Sequence, residues 1–177
     1  MMADFHDIAV LGSGPAALSV AAACARRGAT VAVVAPDPEA PWLPNYCLWT
    51  DEVPSGMQSL AEQVWSEALV ATPLGSHALG RPYVKLHTLA LQSLYWTILR
   101  AGGARVVPGR ATRLEHASDH TTIHLDGGDS ARARVVVDAT GAATPFVRRV
   151  HRKAPAAQTA FGVMLRPRRH SFDPDRM

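Results

Sequence analysis

Cysteine is almost absent from this chain. Of 177 residues only two, Cys24 and Cys47, are cysteines, and they form neither a CxxC pair nor any other metal-binding spacing. A disulfide framework and a cysteine-rich metal centre are therefore excluded. Cys24 lies in an alanine-rich stretch and reads as a small buried hydrophobe, and a reducing compartment fits both residues. Aromatic residues make up only 6% of the chain. They are not interleaved with the basic ones, so no base-stacking surface and no nucleic-acid partner are expected. Charge is also sparse, with 18 Lys and Arg against 15 Asp and Glu for a net +3. The excess lies late, at Arg132, Arg134, Arg148, Arg149, Arg152, Lys153, Arg166, Arg168 and Arg169, and reads as a solvated face.

The long apolar run from Ile8 to Ala25 is broken by Gly12, Gly14 and Pro15. Asp4 and Asp7 precede it instead of a basic segment, so neither a signal peptide nor a membrane span is expected. A cytoplasmic protein follows, with any membrane contact peripheral. The eight histidines, His6, His77, His87, His116, His120, His124, His151 and His170, show no metal-ligand spacing. His116, His120 and His124 recur every four residues, but in a segment that reads as strands and a turn. No metal is expected.

What is present is an ordinary globular balance, 47% apolar, in a length sufficient for one domain with a sizeable core. Residues 7–12 form a short apolar run ending in glycine, the pattern of a buried parallel strand. Residues 15–27 are helix-forming, with Pro15 in the first turn and Gly28 as the stop. Residues 30–35, TVAVVA, are a second buried strand. This is the opening of a doubly wound sheet. A proline-rich irregular segment follows over 36–56. Apolar residues at helical spacing predict a helix over 57–70 and a second, more apolar one over 86–101. ARVVPG, ATRLEHA, TTIHLDG and ARVVVDATG predict four strands, with a turn at Asp126–Asp129, and TAFGVML at 159–165 predicts another. The expected fold is α/β: a Rossmann-like FAD/NAD(P)-binding domain with a parallel sheet and a small β-rich insert, incomplete at its C-terminus.

Three segments carry chemistry. In Gly12-Ser13-Gly14-Pro15-Ala16-Ala17, Gly12 permits the sharp turn, Gly14 lets the backbone approach a pyrophosphate, and Ala17 lets helix and strand pack closely. The helix N-terminus then offers N–H groups and a positive dipole end to the phosphates. The acid usual at the end of the second strand is replaced by Ala35-Pro36, which leaves Asp37 as the candidate for the ribose hydroxyls or as a plain turn residue. In the second segment, Val135–Gly141, an apolar strand ending in Ala-Thr-Gly returns the chain to the cofactor, with Asp138 and Gly141 at the turn. The pairing of the two motifs favours FAD over a simple NAD dehydrogenase. The third segment, Trp42–Glu52, sets Trp42, Tyr46 and Trp49 on a loop as walls for a large apolar ligand. It also carries Asp51 and Glu52, which are either acid–base candidates with raised pKa values or simply the start of the next element.

These segments resemble the lycopene cyclase family. PWLPNYCLWTDE is similar to that family's WPNNYGVWVDE, GRPYVKLH to GRPYGRVNR, VVVDATGA to VVDATG, and QTAFGVML with DPDRM to its AYG strand and DPD(K/R)M. The resemblance covers nearly the whole chain. It implies an intramolecular lyase, an isomerase-type enzyme in carotenoid biosynthesis. Such an enzyme cyclises the ends of a linear carotenoid with reduced FAD and without net redox change, NAD(P)H being a possible reductant. Lys85 stands where the family has the cofactor-side arginine of RPYGR, and His87 and Thr88 replace the asparagine and arginine that follow. Family members are about twice as long, and their acidic FLEET motif has no counterpart here. The resemblance thus implies an N-terminal part, inactive alone, with residues 1–145 as the FAD-binding domain and 146–177 as the start of a substrate domain. A second chain is then a candidate partner supplying the missing half. The alternatives are an FAD-dependent oxidoreductase of polyprenyl reductase, halogenase or monooxygenase type, or a non-catalytic nucleotide-binding half-domain.

Overall fold

The computed structural model describes residues 5–142, 144–148 and 150. The expected strand at 159–165 and most of the expected substrate domain lie outside the described residues. In chain order the elements are β1 (Phe5–Leu11), α1 (Pro15–Ala25), β2 (Val31–Ala35), β3 (Cys47–Trp49), β4 (Ala61–Trp65), β5 (Leu69–Thr72), β6 (Gly75–Ala78), β7 (Tyr83–Leu86), α2 (Thr88–Ala101), β8 (Arg105–Pro108), β9 (Ala111–His116), β10 (Thr121–Leu125) and β11 (Ser130–Asp138). Short 3-10 turns occupy Thr50–Glu52 and Gln58–Leu60. The chain divides into two compact units. One runs through Leu43 and resumes over Leu89–Arg148, and the described core of the other is Pro44–Thr88. The segment expected to form one domain, 1–145, thus contains an excursion of its own.

The first unit is built on a six-stranded sheet in the order β8-β2-β1-β11-β10-β9. The four strands β8, β2, β1 and β11 are mutually parallel, while β10 and β9 extend the sheet antiparallel. The composition of β2 follows from this placement: all five residues of VAVVA are buried, as a strand covered on both faces requires. On one face Ala9, Leu11, Ala32, Val34, Ile123, Leu125, Ala131 and Ala133 form a continuous core. They come at alternate positions of four strands, the period of a pleated sheet. Val10 and Val33 are fully buried too, and α1, which packs on β1 and β2, buries Ala17, Leu18, Ala21 and Ala22. The alanines keep α1 close to the sheet. The four strands expected after the second helix are all present, and the turn at Asp126–Gly127 joins β10 to β11.

In the second unit β3, β7 and β4 make a three-stranded antiparallel sheet, and β5 pairs with β6 as a separate hairpin. The helix expected over 57–70 is not formed. Its residues give the 3-10 turn at Gln58–Leu60, then β4 and β5. Four of the five residues of β4 are exposed, so the helical spacing of Leu60 and Val64 did not report a buried helix face. Helices gain most of their stability from such a face. Pairing with β7, with Val64 opposite Val84 and Trp65 opposite Tyr83, sets the segment as a strand instead.

Candidate functional site

The β1–α1 turn is held from behind by the end of β11. Leu11 lies opposite Asp138 in the parallel register. The Ala139 N–H donates to the Leu11 carbonyl at 3.0 Å, and the Gly12 N–H donates to the Val34 carbonyl at 2.8 Å. Gly12 has φ +112°, and a Cβ there would stand 2.6 Å from the Ala139 carbonyl oxygen. Gly14 is the opposite case. It caps α1 with φ −72°, and among the described residues, beyond its chain neighbours, no atom lies within 4 Å of where its Cβ would stand. One glycine is thus required by a neighbouring backbone and the other faces open space. Pro15 opens α1, no side chain caps the helix, and no acid occupies its first turn. The amide groups around Ser13, Ala16 and Ala17 therefore meet no competing protein anion from the helix itself.

The Asp138 carboxylate is turned into its own loop. It accepts from the Thr140 N–H at 3.0 Å, from the Thr140 hydroxyl at 2.7 Å, and from the Thr144 hydroxyl. Partial burial acts to raise its pKa, but these donors outweigh it and hold the carboxyl below the ordinary carboxylate range. Gly141 follows at φ +95°. Asp37 is exposed in the turn after β2, where its carbonyl accepts from the Ala40 N–H at 3.4 Å.

Trp42 is not on an open loop wall. It is buried, its indole N–H donates to the Ser13 carbonyl at 2.8 Å, and its ring lies 6.4 Å from that of Tyr95. Gln92 on α2, also buried, accepts the Trp42 backbone N–H through Oε1 at 3.2 Å and donates through Nε2 to the Ala40 carbonyl at 2.8 Å. Sequence reasoning missed Gln92, Tyr95 and Thr144. A glutamine within an apolar helix was the one visible signal.

The remaining candidates belong to the second unit. The Trp49 ring stacks edge-on with Tyr83 at 4.9 Å, and the Arg81 guanidinium lies over it at 4.5 Å. Arg81 also reaches Asp51 at 2.7 Å and Glu52 at 3.3 Å. The expectation that these adjacent carboxylates have raised pKa values fails for Asp51, since the hydrogen bond from Arg81 holds its carboxyl below the ordinary range. Burial raises the Tyr46 phenol. Lys85, opposite Cys47 in the register and buried, pairs with Glu62 at 2.5 Å. Burial pushes the Cys47 thiol up, Lys85 draws it down, and Glu62 pushes it up again. Lys85→Met is therefore expected to slow alkylation of Cys47 severalfold at pH 8, because less thiolate is present. Iodoacetamide kinetics measure it, and an unchanged rate would show that Lys85 does not act on the thiol. Among the described residues no group of His, Cys, Asp and Glu is arranged to hold a metal, and no helix is long and apolar enough to cross a membrane.

A glycine turn at the carboxyl end of a parallel strand, seated beside a second returning strand, defines a Rossmann-like dinucleotide-binding fold of the kind built into flavoenzymes. Solved structures agree. The chain is similar to the peptidyl tryptophan dihydroxylase QhpG (TM-score 0.58, 22% identity, 82% of this chain and 34% of that one). It is similar also to NikD, an amino acid oxidase (TM-score 0.61, 18% identity, 78% of this chain and 52% of that one), and to the halogenase PltM, solved with FAD (TM-score 0.57, 15% identity, 76% of this chain and 34% of that one).

Residues 7–177 match the lycopene cyclase protein family, and the chain belongs to it. Among curated relatives it is 30% identical to the chloroplastic lycopene beta cyclase of Arabidopsis thaliana over 97% of this chain and 34% of the relative. It is 34% identical to an uncharacterized carotenoid cyclase of Deinococcus radiodurans over 97% of this chain and 41% of the relative. With the lycopene beta cyclase of Synechococcus elongatus it shares 33% identity over 89% of this chain and 39% of the relative. The chain therefore spans 34–41% of the length of these relatives.

Proposed function

We propose that this chain binds FAD at the β1–α1 turn and forms the cofactor-binding part of a carotenoid cyclase. The observation that carries the reading is the contrast between Gly12, filled by the Ala139 backbone, and Gly14, open at the start of an uncapped helix. That is the cradle a pyrophosphate needs, with backbone N–H donors and no acid in the first turn of the helix. Gly12 to Ala17 would hold the pyrophosphate, and Asp138 and Gly141 would shape the turn behind it. Asp37 is the candidate for the ribose. When bound, reduced FAD supplies an electron-rich ring with no net oxidation of the substrate.

Family membership supports ring closure at the ends of a linear carotenoid as the reaction of the whole protein, with a proton delivered to a terminal double bond. Asp51, held deprotonated by Arg81, is a poor donor for that proton; its neighbour Glu52, 3.3 Å from the same guanidinium, is the other acid–base candidate of the pair. Trp49 would stand against the hydrocarbon.

The binding reading is tested by titrating the purified chain with FAD and following quenching of flavin fluorescence. Saturable one-to-one binding is expected, competed by ADP. A folded chain that leaves FAD fluorescence unchanged at all concentrations would sink the reading. In a carotenoid assay of the complete protein, Trp49→Leu and Glu52→Gln should abolish ring formation while FAD stays bound. Intact cyclisation would remove the loop from the reaction.

A further inference from the structure

The Ser13 carbonyl and the Gly14 N–H belong to one peptide group. A trans peptide is planar, with its C=O and N–H directed to opposite sides. The Trp42 indole N–H, donating to the Ser13 carbonyl at 2.8 Å, therefore also fixes the direction of the Gly14 N–H, on the side away from the indole. Such an anchor has a purpose here. A peptide that precedes glycine flips at low cost, because the flip rotates φ of the glycine and glycine tolerates the positive values that result. Gly14 sits at φ −72°, the unflipped state.

We propose that Trp42 is a positioning residue for the pyrophosphate loop. Its indole sets the tilt of the Ser13–Gly14 peptide, and Gln92 sets Trp42. This rests on the FAD reading above. Gln92 is 6% exposed, and a buried amide is costly unless both ends are bonded. Its two ends go to Trp42 and Ala40, on the segment that follows β2, and not to its own helix. The sequence separation is about 50 residues in each case, so α2 acts as the fixed post to which the loop is tied. Trp42 is itself 9% exposed, and exclusion of water strengthens its bond to Ser13.

A tryptophan that merely fills the core would need any acceptor for its N–H. A positioning tryptophan must alter pyrophosphate binding selectively. Trp42→Phe keeps the aromatic body beside Tyr95 and removes the donor. Titration of the full chain is expected to show FAD and ADP binding weakened about tenfold, the effect of one net hydrogen bond. Adenosine, which lacks the pyrophosphate and is measured by competition, should bind as to the wild type. Gln92→Met, which removes both ties while keeping the side-chain length, should give the same pattern and serves if Trp42→Phe does not fold. Wild-type protein that fails to bind FAD overturns the FAD reading and this inference with it. Wild-type binding with unaltered FAD affinity in both variants overturns the positioning role alone. So does a parallel loss for FAD and adenosine, which would mark Trp42 as general packing.

Discussion

Gly12→Val is expected to lose both stability and FAD binding, whereas Gly14→Val loses FAD binding alone. The two glycines are two residues apart, and a motif description treats them alike. The structure separates them. At position 12 a side chain meets the Ala139 carbonyl oxygen at 2.6 Å while φ is +112°. Holding a β-branched residue in that backbone region costs about 1–3 kcal/mol, and the displaced backbone adds about 1–3 kcal/mol of overpacking. Against a total stability of about 5–15 kcal/mol the loss is large, and the midpoint of thermal unfolding should fall by about 10 °C. At position 14 the φ of −72° suits any residue and the space is open. The unfolding midpoint should therefore move by no more than about 2–3 °C, the effect of a poorer helix cap. The valine would occupy the volume that a pyrophosphate needs, so FAD binding should disappear from a folded protein. Scanning calorimetry and FAD titration on both variants decide the matter. A Gly14→Val protein that still binds FAD tightly would place the phosphate elsewhere.

The same contrast explains which parts of this molecule are legible from its sequence. β2 reads directly because it is covered on both faces and so is apolar without interruption, as all five of its residues show, and the buried end of β1, Ala9 to Leu11, is apolar in the same way. The second unit reads poorly because, apart from β7, none of its strands has a buried residue. β4 and the hairpin strand β6 are largely exposed, so burial leaves no periodic trace, and a chance helical spacing at 57–70 points the wrong way. The pairing of β3 with β7 was equally hidden. It lies behind the contact of Asp51 with Arg81, 30 residues on, and hence behind the lowered pKa of Asp51. Trp42 shows a third cause. A tryptophan in a proline-rich segment looks like a loop residue, and only α2, arriving some 50 residues later, reveals that it is buried against the site.

Asp138→Ala is expected to lower stability by about 3 kcal/mol at neutral pH, and to do so progressively less in acid. The carboxylate accepts from two hydroxyls and one N–H of its own turn, and bonds to a charged acceptor are worth about 1.5–3 kcal/mol before cooperativity. Alanine leaves the Thr140 N–H and the Thr144 hydroxyl without that partner. The sign of the pH effect follows from the direction of the shift. The folded pKa lies below the ordinary 3.8, so the charged form is favoured in the folded chain. Its contribution is complete above the unfolded value and is lost as pH falls through the lowered folded value. Urea unfolding at pH 7, 5 and 3 should show a gap between wild type and variant that is wide at the first two and narrower at the third. Parallel curves throughout would mean that the carboxylate charge does not hold the turn. The same variant should bind FAD less tightly than the wild type, because Asp138 fixes the loop whose next residue, Ala139, presses its carbonyl against Gly12. A turn that is free to drift withdraws the backing from the glycine, and with it the shape of the proposed phosphate cradle.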